Sequence, residues 1–103
     1  MNAQARKAYL RPKDVNPAEA GKVLAFLNAA KTAEEIANAI ITFKGERILS
    51  IRVAQKILDR QVQLGGFKDL KQVASVPGIG IRSFTEIVHA LDKRMEYLYF
   101  SLR

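Results

Sequence analysis

The chain has 103 residues, 49% hydrophobic and 26% charged, enough for one modest core and too short for a separate catalytic domain. Seventeen Lys and Arg against ten Asp and Glu give a formal charge of +7, a balance suited to nucleic acid, an anionic membrane face or an acidic protein. The absence of cysteine excludes a disulfide framework, a thiolate nucleophile and a Cys-based zinc site.

Taken in order, residues 1–15 read as a flexible basic arm carrying Arg6, Lys7, Arg11 and Lys13 and broken by Pro12. This opening stretch has no apolar core for a signal peptide, and no segment reaches the ~20 apolar residues that span a bilayer, so a cytoplasmic protein with no membrane contact is expected. Asn16-Pro17-Ala18-Glu19 starts a helix: Asn16 caps it, proline takes the first helical position, and Ala20, Val23, Leu24 and Leu27 form its buried stripe. Thr32-Ala33-Glu34-Glu35 is a capping box for a second helix, with Ile36 and Ile40 inward. Phe43 and Ile48-Leu49 suit a short extended hairpin around Gly45. A third helix is expected from about Ser50 to Gln63, with Val53, Ile57 and Val62 inward, ending at Gly65-Gly66. Asp69-Leu70-Lys71-Gln72 caps a short helix that stops at Pro77, and a last helix begins near Gly80. The result is an all-α fold of about five helices, with Leu27, Val53, Ile57, Leu70, Val73, Ile79 and Ile87 in one core.

The break before the last helix carries most of the chemistry. In Val76-Pro77-Gly78-Ile79-Gly80-Ile81-Arg82, Gly78 can take positive φ, and neither glycine has a Cβ to keep a polyanion from the main chain. A helix starting near Gly80 presents N–H groups without intrahelical partners, and its dipole favours an anion there. Gly78, Ile79, Gly80, Arg82 and Ser83 are therefore the candidate phosphate-binding residues.

Leu70-x-x-Val73-x-x-Val76-Pro77-Gly78-Ile79-Gly80, followed by Arg82, Phe84 and Ile87, resembles the helix-hairpin-helix motif. Upstream, Val53-Ala54-Gln55-Lys56-Ile57-Leu58, Gly65-Gly66-Phe67 and Asp69-Leu70 resemble the linker of a tandem pair, as in the DNA-binding domain of bacterial competence DNA receptors. The likeness covers roughly residues 32–91 and implies sequence-independent binding to the DNA backbone, duplex or single-stranded. Those receptors are membrane-anchored, and no segment of this sequence is expected to serve as such an anchor. A first copy is found by alignment: Ile51, Arg52 and Ile57 precede Ile81, Arg82 and Ile87 by thirty positions, so Ser50 stands opposite Gly80 and Ile48 opposite Gly78. Ile36-Ala37 precedes Val73-Ala74 by thirty-seven, which implies about seven inserted residues around 42–47. The first hairpin thus lacks both glycines; Lys44, Arg47, Ser50, Arg52 and Lys56 are its secondary basic and capping contacts.

Phe84, Val88, Leu91, Met95, Leu98 and Leu102 recur at alternating spacings of four and three, which predicts one helix running toward the C-terminus. Residues 16–92 then form the domain, and 93–103 an apolar, aromatic extension. Met95, Leu98, Tyr99 and Leu102 either cover the first helix or dock on a second copy or a protein partner, the basis of an alternative reading as an assembly module. Enzymatic and cofactor readings find no support. His89 has no second histidine or cysteine with which to share a metal, and Glu34-Glu35 is explained by capping. No Gly-Lys-Ser/Thr phosphate loop is present.

Overall fold

The computed structural model describes residues 9–42 and 44–101, with backbone alone for 93–101. It is all-α: a 3-10 turn at Pro12–Asp14 precedes α1 (Pro17–Ala29), α2 (Ala33–Ala39), α3 (Ile51–Leu64), α4 (Leu70–Ala74) and α5 (Ile81–Ser101). Among the described residues the sole β-type pairing is one antiparallel bridge between Ile41 and Arg47, inside the loop from α2 to α3.

Short polar side chains set the helix starts, because the first N–H groups of a helix need acceptors from outside it. Asn16 Oδ1 accepts from the Glu19 amide at 2.8 Å, Thr32 Oγ1 from Glu35 at 3.1 Å, Ser50 Oγ from Val53 at 3.2 Å, and Asp69 Oδ1 from Gln72 at 3.0 Å. The α2 and α4 caps match position by position at an offset of thirty-seven. Glu35 turns back to accept from the Lys31 and Thr32 amides, and Gln72 Oε1 accepts from the Lys68 amide at 2.7 Å. The Lys31 amide first, and the Thr32 amide after it, hold the Glu35 carboxyl below its ordinary range. α3 and α5 begin thirty residues apart, at Ile51 and Ile81. Both offsets read from the sequence therefore recur in the helix boundaries.

α1 lies along α5, α2 packs on α3, and α4 packs on α5. Val23, Leu27, Ile36, Ile40, Ile57, Val73, Ile87 and Leu91 meet in one core from which water is excluded, and each such side chain contributes about 1.5–3 kcal/mol. At the edge of this core, Lys22 Nζ reaches Asp92 Oδ1 at 3.1 Å and ties α1 to α5.

Two amide side chains tie α1 to the chain that follows it. Asn28 Nδ2 donates to the Phe67 carbonyl at 2.9 Å while its Oδ1 accepts from the Phe67 amide at 2.7 Å, so Asn28 satisfies both backbone groups of that buried residue. Gln61 Nε2 donates to the Leu27 carbonyl at 2.9 Å and to the Ala30 carbonyl at 3.2 Å, covering acceptors left open at the end of α1.

Three expectations change. Val62 is 69% exposed. It lies five residues past Ile57, ~140° round the helix from it, whereas Gln61 falls within ~40° of Ile57 and takes the inward position. Val53 is half-buried and borders the core. The described part of the N-terminal arm is docked: Leu10 donates its amide to Thr85 Oγ1 at 2.7 Å, the 3-10 turn touches α4, and Val15 is buried. Residues 1–8 lie outside the described residues.

Replacing Asn28 with Ala strands the Phe67 amide and carbonyl together. Asn28→Ala is expected to lower unfolding free energy by about 1–3 kcal/mol in urea denaturation with an unchanged m-value, and unaltered stability would contradict the bridge.

Candidate functional site

The approach to α5 is built by a chain that stops one helix and starts another within a few residues. α4 ends in the hydrogen bonds Ser75 N to Lys71 O at 3.1 Å and Val76 N to Val73 O at 3.2 Å, and Pro77 removes the next donor. The turn closes with Ile79 N donating to Val76 O at 3.0 Å. Gly78 sits at φ +96°, and a Cβ built there meets Val53 Cγ2 at 3.2 Å. Gly78 therefore serves the close approach of this turn to α3, a role that its sequence reading as an opening for a polyanion did not include. Ile79 is 8% exposed and plugs the turn into the core as expected.

Gly80 begins the next helix. Its carbonyl accepts from the Phe84 amide at 2.9 Å, as the Ser50 carbonyl accepts from Ala54 at 3.0 Å thirty residues earlier. Both residues stand at the same place in their helices, but Ser50 adds a hydroxyl that occupies the Val53 amide. Gly80 has no side chain with which to do so. The Ser83 amide, counterpart of the Val53 amide, is therefore left open, and the amides of Gly78, Gly80, Ile81 and Arg82 likewise have no acceptor among the described residues. A Cβ at Gly80 would meet nothing within 4 Å. The helix dipole adds the equivalent of roughly +0.5 charge at this end, and Arg82 is exposed beside it without an ion-pair partner among the described residues. Thr85 steadies the first turn, with Oγ1 donating to the Ile81 carbonyl at 2.8 Å while accepting from Leu10.

The inserted loop of the first hairpin is closed by comparison, whereas the amides of Leu49, Ser50, Ile51 and Arg52 leading into α3 have no acceptor among the described residues. The Thr42 amide donates to the Glu46 carbonyl at 2.8 Å, and Thr42 Oγ1 accepts from the Lys44 amide at 3.2 Å and the Glu46 amide at 3.1 Å. Gly45, at φ +86°, donates to the Thr42 carbonyl at 2.8 Å. The inserted residues thus satisfy one another. Arg47 Nη2 donates to Asn38 Oδ1 at 2.7 Å, so the guanidinium expected at phosphate is held by α2. Lys44, Arg52 and Lys56 are exposed, the last two one turn apart on α3. Thr42 escaped the sequence reading, although a threonine two and four residues before the amides it accepts is a usable turn signal.

Beside Gly80 lies a shallow, largely apolar recess of about 180 Å³. Leu10, Pro12, Ala74 and Ile81 wall it, the buried Ile79 and Phe84 lie beneath, and the exposed Arg11 also lines it. Ile81, first residue of α5, is 49% exposed and belongs to both the recess and the open helix end. Nothing in the sequence paired residues 10–12 with this hairpin, because the pairing depends on the Leu10–Thr85 bond across seventy-five positions.

His89 is exposed, and among the described residues no group of His, Cys, Asp and Glu gathers as a metal site. No helix among the described residues is long and apolar enough to cross a membrane. Met95, Leu98 and Tyr99 lie on helical backbone with side chains outside the described residues, and Leu102 lies wholly outside them. No family model, curated protein or solved structure matches the chain.

Gly78→Ala combines an unfavourable positive φ with a methyl pressed on Val53. It is expected to destabilise the fold by about 1–3 kcal/mol in chemical denaturation. A variant as stable as the parent would contradict the packing role given to Gly78.

Proposed function

We propose that the chain is a sequence-independent DNA-binding module that holds backbone phosphate at the start of α5. The observation that carries this reading is the junction from Gly78 to Ser83, whose five open main-chain donors include the Ser83 amide, the one that a capping side chain occupies at the same place in α1 to α4. An anion is the complement of such an end, since it accepts several N–H bonds and meets the favourable pole of the dipole. In this mechanism the amides of Ile81, Arg82 and Ser83 take the phosphate oxygens, the absent side chain at Gly80 lets the backbone approach, and Arg82 adds a charge-assisted bond. Ser83 offers its hydroxyl from the same turn. The formal charge of +7 supplies long-range attraction, with Arg52, Lys56 and Lys44 as exposed cations near the first hairpin. None of these contacts touches a base edge, so affinity follows charge and shape rather than sequence.

Because the two hairpins differ at one equivalent residue, function can be separated from folding. Gly80→Ser copies the Ser50 cap onto α5. The expected result is unchanged or slightly raised thermal stability, as serine caps better than glycine by a few tenths of a kcal/mol, together with weaker DNA binding in fluorescence anisotropy. Arg82→Ala is expected to weaken binding to every DNA sequence alike and to reduce the slope of log affinity against log salt by about one. Full-strength binding by both folded variants would refute the proposed site.

A further inference from the structure

The apolar recess and the open helix end are one continuous surface, joined through Gly80 and Ile81. At about 180 Å³ the recess is well short of the ~300–1,000 Å³ of a site for a drug-sized ligand, so it suits a single flat ring system. The ligand that carries an anion and an apolar planar ring on one short tether is a nucleotide unit. We infer that this surface takes an unpaired nucleotide, with its phosphate on the α5 amides and its base against Ile81, Leu10 and Pro12 in the recess. This inference rests on the phosphate reading above.

A paired base is stacked inside its duplex and reaches such a recess only by unpairing, at a cost of a few kcal/mol. An unpaired strand meets no such cost and gains the burial of a base on apolar surface. Independently, the first hairpin offers a second strand a poorer site. Ser50 occupies the Val53 amide there, the inserted loop spends its Lys44, Gly45 and Glu46 amides on Thr42, and Arg47 is bound to Asn38. The preferred substrate class is therefore single-stranded or frayed DNA held along one strand. Arg11, 57% exposed and paired with Asp14 at 3.4 Å, also lines the recess.

The test compares three probes on the whole chain at one salt concentration: a short oligothymidine, an abasic deoxyribose-phosphate oligomer of equal length, and a blunt duplex. Fluorescence anisotropy is expected to give an affinity for oligothymidine about tenfold above that for the abasic strand, within the range of one stacked or buried base. Blunt duplex should compete with oligothymidine less well than oligothymidine itself does. Ile81→Ser, at a half-exposed position, should bring oligothymidine down to the abasic level, whereas Arg82→Ala should weaken both strands by the same factor. Equal affinity for oligothymidine and the abasic strand, or a preference for the duplex, would overturn the inference while leaving the phosphate site standing. Failure of all three probes to bind would overturn the phosphate reading and this inference with it.

Discussion

The contact between Gly78 and Val53 governs the geometry from which everything else follows. Only a residue without a Cβ can hold φ +96° here while its backbone rests against the side chain of α3. At this contact the chain turns between the end of α4 and the start of α5, with Ile79 buried in the core. A bulkier residue would push the turn off α3, and the amides at the start of α5 would no longer be held in one direction. The rigidity of the proposed site thus comes from behind it. Val53 supports the turn from α3, while Leu10 and Thr85 support the first turn of α5 from the N-terminal side.

The two halves of the fold show how a repeated framework can diverge in chemistry. Helix starts, cap positions and core positions recur at offsets of thirty-seven and thirty, but residues 42–46 of the loop from α2 to α3 bond one another, while the turn from α4 to α5 leaves the Gly78 and Gly80 amides open. Leaving N–H groups open costs little at an exposed turn, where water serves them, and gives a ligand preoriented donors. The contrast between Ser50 and Gly80 is the smallest form of this divergence: one hydroxyl separates a bonded third amide, that of Val53, from an open one, that of Ser83.

Much of this was legible in the sequence because its causes are local. A cap needs a short polar side chain before an apolar period, and Asn16, Thr32, Ser50 and Asp69 each provide one. Ile79 between two glycines has only the core to enter. What stayed hidden depends on partners distant in the chain. Asn28 has no local mark of its bond to Phe67, thirty-nine positions away, and the docking of residues 10–15 depends on Thr85. Val62 was misread for a different reason: apolar character stood in for angle, whereas Gln61 fills the inward position by donating to the end of α1. Arg47 was counted as a free cation because its neighbour on α2, Asn38, could be recognised only once the inserted loop had folded back.

The account turns on whether anionic backbone meets the main chain at the start of α5, and amide NMR observes those groups directly. In a 1H–15N titration of the full chain with a short single-stranded DNA at low salt, the amide signals of Gly78, Gly80, Ile81, Arg82 and Ser83 should move together and saturate. Those of Lys44 to Glu46, whose amides are already bonded or turned within the closed first hairpin, should move far less. Saturating shifts centred elsewhere on the surface, with the signals from Gly78 to Ser83 stationary, would contradict the account.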